Sequence, residues 1–406
     1  MPLPTPARHG VQERIDAAGE YLRDETTGGI ALLVATVAAL VWANVGASYV
    51  SFWHTDLTLG LGSLSITEDL QHWVNDGLMA LFFFVVALEV KREFVTGDLR
   101  DRKTATLPVL AAVGGAVLPA VIFALLTLGS EGARGWAIPT ATDIAFAVGV
   151  LALLGDRIPS GVKLLLLTIA VVDDVLAIAV IAVFYSSGIS VLWLAAVVAG
   201  LGAIVALRRL GVHRVIAYVP LGIFVWIAML ESGVHATIAG VAVGLLMPAR
   251  PIDGRHVLEE VEDRLHPFSA LLVVPLFALA NAGIVLDGAA VSAAADSRIA
   301  WAIATGLVVG KLLGIAGTVL LVVRLGIGRL PGGVRFGHVW GIAALGGIGF
   351  TVSLFIAQLA YSDPATIDTA KFGIFAGSIV SAGLGVLLLL RQEPPAPGDL
   401  RRPGRG

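Results

Sequence analysis

The chemistry in this sequence is concentrated in a few ionisable residues set inside apolar runs. Foremost is the adjacent pair Asp173-Asp174 in LLLLTIAVVDDVLAIAVIAV. Neighbouring residues on a helix project about 100° apart, so no single neighbour can screen both carboxylates. A helix cap or a surface pair would have polar flanks, and here the flanks are apolar for several turns on both sides. Two carboxylates this close in a low-dielectric setting cannot both stay ionised without a cation or protons to balance them. Carboxylate oxygens are hard ligands suited to a small cation, and the same oxygens bind protons. If cation and protons cannot occupy the pair together, competition gives exchange: an arriving cation displaces protons, and protonation at the other face expels the cation.

Lys311, in GLVVGKLLGIAG, lies near the centre of another apolar run with no charged neighbour in sequence. An ammonium at mid-membrane costs several kcal/mol, from about 2.5 to above 10. Snorkelling to an interface needs a place near a helix end, so Lys311 calls for a carboxylate partner. Asp143 lies in IPTATDIAFAVG, where Pro139 and the run Thr140-Ala141-Thr142 weaken helical hydrogen bonding. The stretch GIAALGGIGFTVS has a matching weakness at Gly341, Gly346, Gly347 and Gly349. Irregular backbone at membrane depth survives only against protein or a cavity, and two interrupted helices in two halves of a chain mark a transport site. Where such half-helices meet, their N-terminal ends favour an anion such as Asp143 and their C-terminal ends a cation such as Lys311. Asp76 suits either a helix start or a functional acid. Glu89, leading into Lys91-Arg92-Glu93, suits either a solvated interfacial charge or an ion entrance.

The elements that position these residues are membrane spans. Apolar residues make up 57% of the 406 and charged residues 14%, against roughly 45–50% apolar in an average soluble domain. A net charge of −3 gives no general affinity for nucleic acid, and the absence of Cys excludes disulfides, thiol catalysis and thiolate metal sites. The first 28 residues mix acids and bases without an apolar core, unlike a cleaved signal, although 11–25 has the spacing of a short interfacial helix. The tail from Arg391 is Pro/Gly-rich and reads as disordered. On the scale of about 20 apolar residues per span, twelve candidates appear: 28–47, 72–90, 106–128, 136–154, 161–185, 189–207, 214–230, 233–248 (short, with weak flanks), 266–286, 298–322, 337–360 and 370–390. With both termini in the cytoplasm, cytoplasmic segments hold 23 Lys and Arg and external loops hold 3, Arg134, Arg298 and Lys371. That asymmetry fixes the orientation and requires an even number of spans. Residues 55–67, TDLTLGLGSLSIT, alternate about a Gly-rich turn as a hairpin does. An isolated hairpin is marginal, so this one seeks a partner, and a second protomer is the natural candidate.

These residues resemble the bacterial NhaA family of sodium/proton antiporters, a standing example of inverted-repeat transporters. The matching stretches are VNDGLMALFFFVVALEVKRE (74–93), GWAIPTATDIAFAVGVLALLG (135–155), Asp173-Asp174, SGVHATIAGV (232–241), LFALANAG (276–283), Gly310-Lys311 and GIGFTVSLFIA (347–357). They are long, specific and in family order over most of the chain. The resemblance implies an all-α polytopic membrane protein of the bacterial inner membrane. Its twelve helices would include inverted repeats (spans three to five and ten to twelve), two discontinuous helices that cross, and an external β-hairpin. A cytoplasmic segment 1–27 would precede a transporter domain 28–390, with core helices about 106–185 and 298–390 and interface helices about 28–90 and 189–286; a tail 391–406 would complete the chain. It implies a homodimer assisted by the hairpin. It also implies electrogenic exchange of one Na+ (or Li+) for two protons, activated at alkaline pH, with no cofactor and a role in pH homeostasis. Carried over, Asp173 and Asp174 bind Na+ transiently and bind protons. Thr142 and Asp143 lie at the crossing, and Lys311 opposes them with Asp173 as its partner. Glu89, Glu262 and His266 fall in the region tied to pH response, where Glu259, Glu260 and Asp263 make this sequence more acidic than the resemblance leads one to expect. His235 matches a family position, and on its own chemistry is equally a helix-end histidine.

An electroneutral cation/proton exchanger of related fold is the alternative, although such a site needs only one exchangeable charge. An intramembrane aspartyl protease, which also uses two membrane Asp residues, is disfavoured. Its GxGD element is missing around Asp143, Asp173 and Asp174, and its two acids lie on separate helices. A plain channel is disfavoured because an acid pair without repeated pore loops suits occlusion better than conduction.

Overall fold

The computed structural model describes residues 25–61, 64–186, 188–212, 214–249 and 256–392. The expected helix at 11–25, all but the start of the tail and the hairpin tip lie outside them. In chain order the helices are α1 (Glu25–Val45), α2 (Ser48–Trp53), α3 (Leu70–Val95), α4 (Arg102–Leu126), α5 (Ile144–Leu153), α6 (Ser160–Phe184), α7 (Val191–Arg209), α8 (Val219–Glu231), α9 (Thr237–Leu246), α10 (Val257–Asn281), α11 (Gly288–Asp296), α12 (Arg298–Arg324), α13 (Phe336–Leu345), α14 (Phe350–Ala360) and α15 (Pro364–Leu390). Eight helices among the described residues are long and apolar enough to cross a membrane. Two bent pairs raise the count to ten: the 3-10 segment Gly132–Thr140 with α5, bent by 40°, and α13 with α14, bent by 45°. The breaks fall where Pro139 and the glycines 346, 347 and 349 weaken the helical ladder. At the places expected for the seventh and eighth spans stand two shorter apolar helices, Val215–Glu231 (α8 with its 3-10 lead-in) and α9.

Two differences from expectation have plain causes. Helix α10 begins at Val257 and stops at Asn281, whereas apolar character placed a span at 266–286. Its first turns carry Glu259, Glu260, Glu262 and Asp263 while Val257, Leu258 and Val261 are buried, so amphipathicity extends the helix past the apolar stretch. Helix α11 was not expected at all; Asp287 starts it by accepting from the Ala290 amide at 2.7 Å.

Small residues set the helix contacts. A Cβ at Gly314 would meet the Gly114 carbonyl, and one at Gly240 would meet the Ala80 carbonyl, so α12 packs on α4 and α9 on α3 at backbone distance. The hairpin pairs β1 (Asp56–Leu61) with β2 (Leu64–Asp69) antiparallel, with Asp56 opposite Asp69. Trp73 anchors it through an indole bond to the Leu57 carbonyl at 2.9 Å, and Leu57 and Leu59 stay exposed.

Candidate ion-binding site

Asp173 and Asp174 sit in the middle of α6, an uninterrupted 25-residue helix, and both are buried. Lys311 is fully buried on α12, one residue past a π-type turn at Gly306–Gly310. Such a turn inserts extra backbone and re-aims the side chains beyond it, a device common at functional positions. Lys311 Nζ lies 2.6 Å from Asp173 Oδ2 and donates to Thr142 Oγ1 at 3.0 Å. Thr142 in turn donates to the Gly346 carbonyl at 2.8 Å, at the C-terminal end of α13. The ammonium is therefore held by one carboxylate and, through a hydroxyl, by the negative end of a half-helix.

Asp143 occupies the opposite electrostatic position. Its Oδ1 accepts from the Phe146 amide at 3.0 Å, capping α5. Its Oδ2 accepts from the Thr351 amide at 3.0 Å and the Thr351 hydroxyl at 2.6 Å, in the first turn of α14. One carboxylate thus closes the N-terminal ends of both half-helices, and its own amide donates to the Ile348 carbonyl at 2.6 Å. Asp143→Ala removes an N-cap acceptor from each, worth about 0.5–2 kcal/mol per end. We expect it to lower the melting temperature more than Asp143→Asn, which keeps an oxygen acceptor; thermal unfolding in detergent measures the difference.

Three buried carboxylates and one ammonium meet here, and the charges do not cancel. Asp173 has Lys311, and Asp143 has two helix ends and three donors. Asp174 accepts no hydrogen bond among the described residues. It lines a chamber of about 100 Å³ together with Glu89, Asp143, His266, Ser269 and Thr351. Asp173 faces a different, larger cavity beside Trp136 and Thr140, as the angle between adjacent helical residues requires.

Of the residues singled out in sequence, the structure brings Asp173, Asp174, Thr142, Asp143 and Lys311 together, and Glu89 and His266 into the chamber beside them. Glu262 stands one step away, its Oε1 2.8 Å from Arg92 Nη1. Arg92 lies one helical turn beyond Glu89. Asp76 and His235 lie outside this group. Asp76 falls in the π-type turn Trp73–Leu78, and its backbone carbonyl accepts from the Trp226 indole at 2.8 Å. The His235 ring meets the Tyr185 carbonyl at 2.8 Å. Sequence reasoning missed Thr351, whose only signal was a hydroxyl close behind the Gly-Ile-Gly break. It also missed an amide cluster in which Gln71, Asn75 and Gln358 all donate to Asn281 Oδ1, at 3.0, 3.3 and 3.2 Å. Lone amides inside VND, ALAN and AQLA were the available cue.

Two bent helix pairs meeting around a charge-unbalanced acid pair, inside a bundle of apolar helices, define a multi-pass membrane transporter rather than an enzyme. The particular family emerges from comparison: the chain belongs to the Na+/H+ antiporter 1 family, whose sequence model matches residues 19–389. It is similar to a protein of Erythrobacter litoralis named Na(+)/H(+) antiporter NhaA 2, 47% identical over 94% of this chain and 95% of that one. It is 44% identical to Na(+)/H(+) antiporter NhaA 3 of Frankia alni, over 91% of this chain and 87% of the relative. With the Na(+)/H(+) antiporter NhaA of Rhodopirellula baltica the identity is 43%, over 92% and 94%.

Proposed function

We propose that this protein exchanges cytoplasmic Na+ or Li+ for external protons through the Asp173-Asp174 pair, electrogenically, with one cation against two protons. The observation that carries this reading is the charge imbalance: three carboxylates and one lysine, with Asp174 the acid left, among the described residues, without a salt-bridge partner or a donor. A cation reaching the Asp174 chamber would take that carboxylate as ligand and expel its proton. Asp173, already ionised in its pair with Lys311, would be released to complete the coordination, and Lys311, losing its counter-charge, would give up the second proton. With the cation gone, the Lys311–Asp173 pair re-forms. Two exchangeable protons, one on Asp174 and one on Lys311, against one monovalent cation favour the electrogenic reading over the electroneutral one.

The same proposal takes the eight long helices, the two bent pairs and the two short apolar helices as twelve spans, with the bent pairs as crossing members of inverted repeats. The Lys and Arg asymmetry supports cytoplasmic termini in an inner membrane and puts Glu89, Glu262 and His266 at the cytoplasmic entrance, where they would set the pH response. The exposed Leu57 and Leu59 of the hairpin support pairing with a second protomer.

In inverted membrane vesicles bearing a proton gradient, Na+ and Li+ are expected to collapse the gradient and K+ is not. Clamping the membrane potential separates the two transport modes, since only electrogenic exchange responds to it. Equal responses to all three cations would overturn the assignment.

A further inference from the structure

Between the Asp174 chamber and the external ends of α3, α10 and α14 stand two stacked layers, and the same three helices build both. Beyond the residues that line the chamber come Phe83, Phe277 and Phe355, one from each helix. All three rings are buried, and the Phe355 ring lies 5.4 Å from Phe83 and 6.1 Å from Phe277. Further out stand Asn75, Asn281 and Gln358. Asn281 is fully buried and pairs with Asn75: its Nδ2 donates to Asn75 Oδ1 at 2.8 Å, and Asn75 donates back at 3.3 Å. Gln358 of α14 donates to the same Asn281 Oδ1 at 3.2 Å. Just past Asn281, the Gly283 carbonyl accepts from Lys371 of α15 at 3.3 Å. Lys371 is buried, keeps Asp368 at 2.9 Å, and occupies the favourable place for a cation, beyond a helix C-terminus. The end of α10 is therefore tied on one side to α3 and on the other to α14 and α15, the helices that follow the second bend.

A hydrated cation does not pass between packed rings. Access to the chamber from outside therefore requires α14 to draw away from α3 and α10. That movement breaks the Gln358 and Lys371 bonds and leaves the Asn75–Asn281 pair, which lies within α3 and α10, intact. We propose that Gln358 and Lys371 form a polar latch on the external end of α10, holding the external route closed and setting how often it opens. The rings exclude water, and the latch supplies the bias. Its groups are rehydrated when the route opens, so each bond shifts the closed-to-open ratio only by about threefold to tenfold. That is enough to favour the closed form and small enough to release it in every cycle. What the opening serves rests on the exchange reading; the latch itself does not.

The chain has no Cys, so a single introduced thiol reports access without background. Met79, buried on α3 one turn deeper than Asn75, is the reporter. In full-length Met79→Cys, a membrane-impermeant cationic methanethiosulfonate outside right-side-out vesicles should modify the thiol only while the route is open. Gln358→Leu and Lys371→Met, each added to that background, should speed modification about threefold to tenfold, and the two together more than either. A second reporter, Val86→Cys in the chamber wall, is probed from the cytoplasmic face in inverted vesicles and should react no faster with the latch removed. Equal acceleration at both faces would mean general loosening, and no acceleration in the folded variants would mean no latch; either overturns the proposal. Independently, Gln358→Cys with Asn281→Cys, joined by oxidation, should halt exchange until a reductant is added, and undiminished exchange by the cross-linked protein would also overturn it. Labelling needs no transport: a failed latch leaves the exchange mechanism standing, and a failed exchange mechanism leaves the labelling result.

Discussion

Asp174→Asn is expected to bring Na+-driven proton exchange down to the level of empty vesicles while the protein stays folded. The two side chains have nearly the same shape, and Asp174 accepts no hydrogen bond among the described residues that the amide could break. What changes is charge: the amide cannot ionise, so it can neither release a proton to an arriving Na+ nor compensate the cation once bound. Any variant that merely loosened the site would slow exchange or shift its Na+ dependence. Loss of the one acid of the three with neither an ion pair nor a hydrogen-bond donor among the described residues removes the competition on which exchange rests. Vesicle transport, paired with a melting curve on the same preparation, separates this outcome from misfolding. Normal exchange by the folded variant would mean that the coupling acid lies elsewhere.

Lys311→Ala is the second large effect, and it falls on stability as well as transport. It strands the Asp173 carboxylate in a site where that residue is 2% exposed. Removing one partner of a buried pair costs about 3–5 kcal/mol, because the remaining charge keeps its desolvation penalty. The melting temperature should therefore drop by several degrees, and the pH dependence of exchange should change because Asp173 no longer has a competitor for its proton. Lys311→Met with Asp173→Asn should recover most of the lost stability, since the neutral pair leaves no buried charge, yet it should not restore exchange. Single and double variants together form a cycle whose coupling term measures the pair. A Lys311→Ala protein with unchanged melting and unchanged pH profile would dissolve the pairing as an energetic unit.

Much of this site was legible because membrane interiors make charge conspicuous. Asp173, Asp174 and Lys311 each interrupt an apolar run, and Pro139 with the glycines at 346, 347 and 349 marked both bends. That a single acid, Asp143, would cap two half-helices more than 200 positions apart was not readable, because nothing in either segment specifies which ends meet. Thr351 went unnoticed for the same reason: its hydroxyl matters only through a contact with a residue 208 positions away. The adjacency of Asp173 and Asp174 predicted that they face different directions; which cavity each would line depended on packing by α4, α3 and α10. Hydropathy misjudged α10 because a helix can continue through an acidic, amphipathic stretch that contributes nothing to an apolar count.

The most direct measurement of the central claim is proton release when Na+ is added to the purified protein in weakly buffered detergent solution. If cation and protons compete for the Asp173-Asp174 pair, Na+ should release protons from the wild-type protein, K+ should release none, and Asp174→Asn should abolish the Na+ response. Na+ binding seen as thermal stabilisation, but with no proton release, would contradict the account.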